Sequence, residues 1–116
     1  MAAGELAKVL LSGSTNGRGI KVAASSSPGT TIHTADATAY DDISLWAQNH
    51  DTVERTLTVE FGGTTSPEDR IVTVLPPDSG LTPIVPGLPL TGGVVVKAFG
   101  DAANVISVRG YVLRIG

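Results

Sequence analysis

No cysteine occurs in these 116 residues, and that absence removes disulfides, thiolate nucleophiles and the usual structural zinc sites together. The fold must therefore stand on packing alone. Aromatic residues are scarce, with one Trp, two Tyr and two Phe, so an extended carbohydrate platform is poorly supplied. Charged residues make up only 16% of the chain against 41% hydrophobic, a thin charge cover that predicts apolar surface buried by a partner or by copies of the same chain. The formal net charge is −3 and the pI is near 5.1. No basic stripe of the kind that neutralises phosphates is present, and nucleic acid is not an expected partner. Apolar runs are broken every few positions by Gly, Pro, Ser or Thr, so no membrane-spanning segment is expected. Val9-Leu10-Leu11 is too short for the apolar core of a signal peptide.

Residues that could carry chemistry are equally sparse. His33, His50 and Asp51 are metal-ligand types, but their spacing matches no metal motif, and they read as solvated loop residues. Asp36, Asp41 and Asp42 lack the regular spacing and central glycine of a calcium loop and read as turn formers. No Gly-x-Ser-x-Gly elbow exposes a serine nucleophile. The run Asn16-Gly17-Arg18-Gly19 contains glycines without the strand-to-helix setting that cradles phosphate. The expectation is a non-enzymatic protein with no catalytic, cofactor-binding or metal-binding residues.

What the chain does contain is strands. Asp42 to Asn49 alternates, with Ile43, Leu45 and Ala47 on one face and Ser44, Trp46 and Gln48 on the other. Glu54 to Phe61 alternates cleanly, with Leu57, Val59 and Phe61 inward and Thr56, Thr58 and Glu60 outward. The short link between these two predicts an antiparallel hairpin. Arg70 to Leu75 is apolar on both faces, which predicts cover on both sides. Residues 76–89 hold five of the seven prolines, which restricts that segment to an edge strand around Leu81 to Val85. Leu90 to Phe99 and Asn104 to Ile115 close the chain, with Gly110 marking a bulge or a close approach of another backbone. Ile20 to Ala24 and Thr30 to Ala35 supply two shorter strands. The sum is an all-β chain: an antiparallel β-sandwich of about eight strands, of jelly-roll type, spanning residues 20–116 as one domain.

Residues 1–19 read as an N-terminal arm and linker. Leu11 to Gly19 is rich in Gly, Ser and Asn and predicts a flexible hinge. The piece before it is a frayed tail, an extra strand, or an arm that orders on a partner and contributes little to the fold. Val9, Leu10, Leu11 and Arg18 are its candidate interface residues. Trp46 is a further one, since an indole opposite Ile43 and Leu45 can stack on a sugar, fill a seam between subunits, or belong to a core.

Several stretches resemble the small virion proteins of tailed bacteriophages, including head decoration, or cement, proteins. They are Ile43-Ser-Leu-Trp-Ala-Gln-Asn, Arg55-Thr-Leu-Thr-Val-Glu-Phe-Gly-Gly-Thr-Thr, the segment Gly80 to Leu90, Ala103-Asn-Val-Ile-Ser-Val-Arg-Gly-Tyr-Val, and the opening Ser14-Thr-Asn-Gly-Arg-Gly-Ile-Lys-Val-Ala. The similarity is one of flow and turn chemistry, without shared active residues to carry over. It implies a β-rich subunit made in the host cytoplasm and placed on the outer capsid surface. There it would clamp neighbouring copies of the major capsid protein as a dimer or trimer, with no cofactor. The alternative is a tail- or fibre-associated β-sandwich that binds host glycan.

Overall fold

A computed structural model of the chain describes residues 5–116. Nine strands run in the order β1 (Leu6–Leu10), β2 (Ile20–Lys21), β3 (Thr30–Thr34), β4 (Tyr40–Asn49), β5 (Arg55–Phe61), β6 (Arg70–Leu75), β7 (Thr82–Leu90), β8 (Val95–Gly100) and β9 (Ile106–Ile115). Among the described residues there is no helix. All strand pairs are antiparallel. One sheet has the order β1-β9-β4-β7, with β2 beside β1 on the same flank of β9; the other has the order β3-β8-β5-β6.

Because β1 and β2 lie on one edge of β9, they act as two halves of a single split strand. Counted so, the described residues form eight strands in two four-stranded sheets, and the chain changes sheet at every later connection except β5 to β6. This is the wrapped, double Greek-key order of a jelly roll. The two sheets enclose a core in which Ile32, Ile43, Leu45, Leu57, Val59, Leu75, Val96 and Val112 have no exposed surface. The period-two pattern places the inner residues of β4 and β5 as the sequence predicts.

Pairing differs from expectation at β4 and β5. They do not form a hairpin: β4 pairs with β7 and β9, while β5 pairs with β6 and β8. The short link is a corner between sheets, and Asn49 builds it. Its buried side-chain amide donates to the carbonyls of Val53 (2.9 Å), Leu75 (3.3 Å) and Pro76 (3.0 Å), and its Oδ1 accepts from the Asp51 amide at 2.9 Å. One satisfied amide thus pins three chain segments where a hairpin turn would have stood.

Of the readings open for the N-terminal piece, the structure shows the extra strand. Residues 1–4 lie outside the described residues, but Leu6 to Leu10 pair with Ile115 to Tyr111 as an edge strand. The predicted hinge is stitched to the opposite sheet. Gly13 N–H donates to the Ile32 carbonyl at 2.9 Å, Thr34 N–H to Ser12 Oγ at 2.7 Å, and Ser12 N–H to His33 Nδ1 at 2.9 Å. A Cβ on Gly13 would lie 2.6 Å from the Ile32 oxygen. Here glycine and serine serve close approach and hydrogen bonding to β3 rather than freedom of the chain.

Two outward faces also depart from expectation. Arg70 to Leu75 is an edge strand whose outer Val72 and Val74 are 60% and 54% exposed; their β-branched side chains suit a pleated strand without requiring cover. Glu60 points away from the core yet is fully buried, because the segment before β3 crosses over it. Ser27 Oγ donates to Glu60 Oε2 at 2.5 Å and the Gly29 amide to Oε1 at 2.7 Å.

Candidate functional site

The outer side of the sheet containing β4 and β9 brings together Leu10, Asp42 and Trp46, with Arg18 and His50 at one end. Rows across it follow the register. Leu6, Ile115 and Tyr40 form the first row, and Lys8, Leu113 and Asp42 the second. Leu10, Tyr111, Ser44 and Pro86 make the third, and Arg109, Trp46 and Pro83 the fourth. A water-facing sheet surface is ordinarily polar. Here Leu6 is 68% exposed, Tyr40 58%, Leu10 55% and Ile115 37%. Trp46 and Tyr111, diagonal neighbours on β4 and β9, stack with ring centroids 5.9 Å apart and planes at 25°. The Lys8 ammonium sits 4.6 Å from the Tyr111 centroid, a cation–π contact that caps the pair. Trp46 therefore belongs to neither core nor loop; it lies partly exposed on this face.

Past the fourth row the face becomes cationic. Arg18 from the loop before β2, Lys21 on β2 and Arg109 on β9 line a pocket of about 370 Å³ with His50, Asn104 and Ser107. His50 Nε2 lies 2.8 Å from Ser107 Oγ. No ion pair involves Arg18, Lys21 or Arg109 among the described residues. A Cβ at Gly19 would come within 3.3 Å of Arg109 Nε, so the bare glycine leaves room for that guanidinium.

The remaining sequence candidates fall elsewhere. Leu10 is on the outer face, but Val9 points inward against the core and Leu11 is 2% exposed within it. Leu11 is thus corrected from partner contact to core residue, since strand alternation turns it away from the outer face. His33 is corrected from a solvated loop residue: it lies in β3, 1% exposed. Asp41, read as a turn former, has no exposed surface and joins His33 Nε2 (2.7 Å) to Arg114, whose Nε and Nη2 donate to the two carboxylate oxygens at 2.7 and 3.0 Å.

This His–Asp pair superficially suggests acid–base chemistry, but its hydrogen bonds point to a clasp. Nδ1 accepts the Ser12 amide, so Nε2 carries the hydrogen given to Asp41. Neither nitrogen is left to take a proton from a substrate. The network joins β3 in one sheet to β4 and β9 in the other. Among the described residues no group of three His, Asp or Glu converges as metal ligands.

Burial alone would raise the Asp41 carboxyl, but the Arg114 and His33 hydrogen bonds outweigh it and hold its pKa at about 2. A carboxylate depressed on folding stabilises the protein fully above its unfolded pKa, and that contribution fades as pH falls through the folded value. Asp41 should contribute about 2 kcal/mol at neutral pH, lost between roughly pH 4 and pH 2. Asp36 and Asp51 are lowered as well, so the whole acid limb is shared. Denaturant unfolding of Asp41→Asn against the parent isolates the Asp41 share: the gap should be near 2 kcal/mol at pH 7 and close by pH 2. A constant gap would show that ionisation of Asp41 does not stabilise the fold.

Searches of protein-family models, curated proteins and solved structures find no match to this chain.

Proposed function

We propose that this chain is a non-enzymatic structural virion protein that binds the outer surface of a phage capsid. In this reading it cements neighbouring copies of the major capsid protein through the outer face of the β4–β9 sheet. The observation that carries the reading is the composition of that face. Leu6, Leu10, Tyr40 and Ile115 stand exposed beside the Trp46–Tyr111 stack on the side of a sheet that would otherwise be polar. Aromatic and aliphatic side chains held on a rigid sheet suit the centre of an interface. Contacts repeated over a lattice make a modest affinity per subunit sufficient. Self-association as a dimer or trimer belongs to the same reading.

Leu10→Glu should reduce co-sedimentation with undecorated capsids at least about tenfold, because a carboxylate would then have to be desolvated at the contact. Val72→Glu, on the outer side of the opposite sheet, should leave it unchanged. Equal effects from the two substitutions, or none from Leu10→Glu, would remove this face as the attachment surface. A second reading, a tail- or fibre-associated binder of host glycan, draws on the adjacent rings of Trp46 and Tyr111, which offer π-faces to a sugar. Binding to host polysaccharide that is lost in Trp46→Ala, with no binding to capsids, would favour it.

A further inference from the structure

Neither reading rests on the cationic pocket, although Arg18 is an interface candidate, and the pocket's composition does not follow from the needs of the fold. The chain has only eight Lys and Arg residues against eleven Asp and Glu, yet three of the eight meet at one pocket. The carboxylates that neutralise other cations are elsewhere: Asp51 and Asp101 lie near Arg55, and Asp36 and Asp41 near Arg114. None lines this pocket. Three like charges held together cost free energy unless an anion joins them. Arg18 and Lys21 reach the site from one side and Arg109 from the adjacent strand, while Gly19 leaves the space that the Arg109 guanidinium fills. Beside them stand hydrogen-bonding groups, the Ser107 hydroxyl, the Asn104 amide and the His50 ring, with Ile106 as the apolar part of the lining.

We propose that this pocket is an oxyanion site that takes a small phosphate-bearing ligand with two or more negative charges. A single carboxylate would leave most of the positive charge unmatched. A phosphate group offers several acceptor oxygens to two guanidinium forks and an ammonium, with further donors from hydroxyl and amide groups. At about 370 Å³ the pocket has room for a group larger than one phosphate, at the lower end of small-molecule sites. The site stands independently of capsid attachment, and its test needs no capsid.

Pyrophosphate is the probe, titrated into the full chain at low ionic strength and followed by calorimetry and by backbone amide shifts. Saturable one-to-one binding is expected, with shifts concentrated at Arg18 to Lys21 and Asn104 to Arg109. It should weaken steeply with added salt, as charge neutralisation requires. Arg109→Gln and Arg18→Gln should each weaken it about tenfold or more without lowering the melting temperature, since neither side chain makes an ion pair among the described residues. Lys97→Gln, on the other sheet, should not change it. Absence of saturable binding, or binding insensitive to Arg109→Gln, would overturn the site. A tetraglutamate peptide that binds as tightly as pyrophosphate would overturn the phosphate class.

Discussion

Gly110→Ala is expected to destabilise the fold by about 3 kcal/mol, at the upper end of the cost of overpacking a well-filled interior. Gly110 lies in the middle of β9, opposite Leu45 of β4, with unbroken register on either side. A Cβ there would stand 3.0 Å from the Ser44 carbonyl carbon and 3.1 Å from the Leu45 Cα, and closer still to the Ser44 oxygen. These are main-chain atoms of a central strand, so no side chain can swing aside to make room. The sheet would have to part where β4 and β9 hold each other, and both strands carry core residues on the inner side. The melting temperature should fall on the order of 10–20 °C. Gly80→Ala is the control, because a Cβ there meets nothing within 4 Å. If the two variants melted within a few degrees of each other, the close approach at Gly110 would not constrain the sheet.

Gly110 shows what one sequence can reveal. A lone glycine at an inward position of an alternating strand points to a bulge or a tight approach, and the structure selects the approach. The clustered prolines of residues 76–89 were equally informative, since β7 is an edge strand with Pro83, Pro86 and Pro89 all exposed. Strand existence is local, written in alternation and turn residues. Strand partnership is not. Nothing in the link after Asn49 distinguishes a hairpin from a corner, because the carbonyls of Leu75 and Pro76 that hold Asn49 belong to a distant part of the chain.

Buried polar residues escaped for the same reason. Asp41 is satisfied by Arg114 near the other end of the chain, and Glu60 by Ser27 and Gly29 in a loop that precedes it by thirty residues or more. Composition presents these groups as surface charge, and only their partners make them interior. The outer face was half visible. Period two placed Trp46 opposite Ile43 and Leu45, but its stacking on Tyr111 depends on the pairing of β4 with β9. The pocket was less visible still, since Arg18 and Arg109 meet only because β2 lies along β9.

Deleting residues 1–11 should lower stability by about 4 kcal/mol or more, and the truncated chain should aggregate. Leu11 is 2% exposed in the core and Val9 packs against that core; losing one buried leucine costs roughly 2–5 kcal/mol. The deletion also removes the five-residue pairing of β1 with β9. Half of β9 would become a bare edge, with Tyr111, Leu113 and Ile115 on its outer side, a template for pairing with another chain. Leu11→Ala separates the two contributions, since it empties the core site while leaving β1 in place. It should account for most of the stability loss without the aggregation. Thermal melting and light scattering on the parent, Leu11→Ala and the truncated chain give the comparison. A truncated protein that stays monomeric and melts within 2–3 °C of the parent, roughly half a kcal/mol, would return this segment to the status of a detachable arm. The β1–β9 pairing would then contribute nothing to the sandwich in solution.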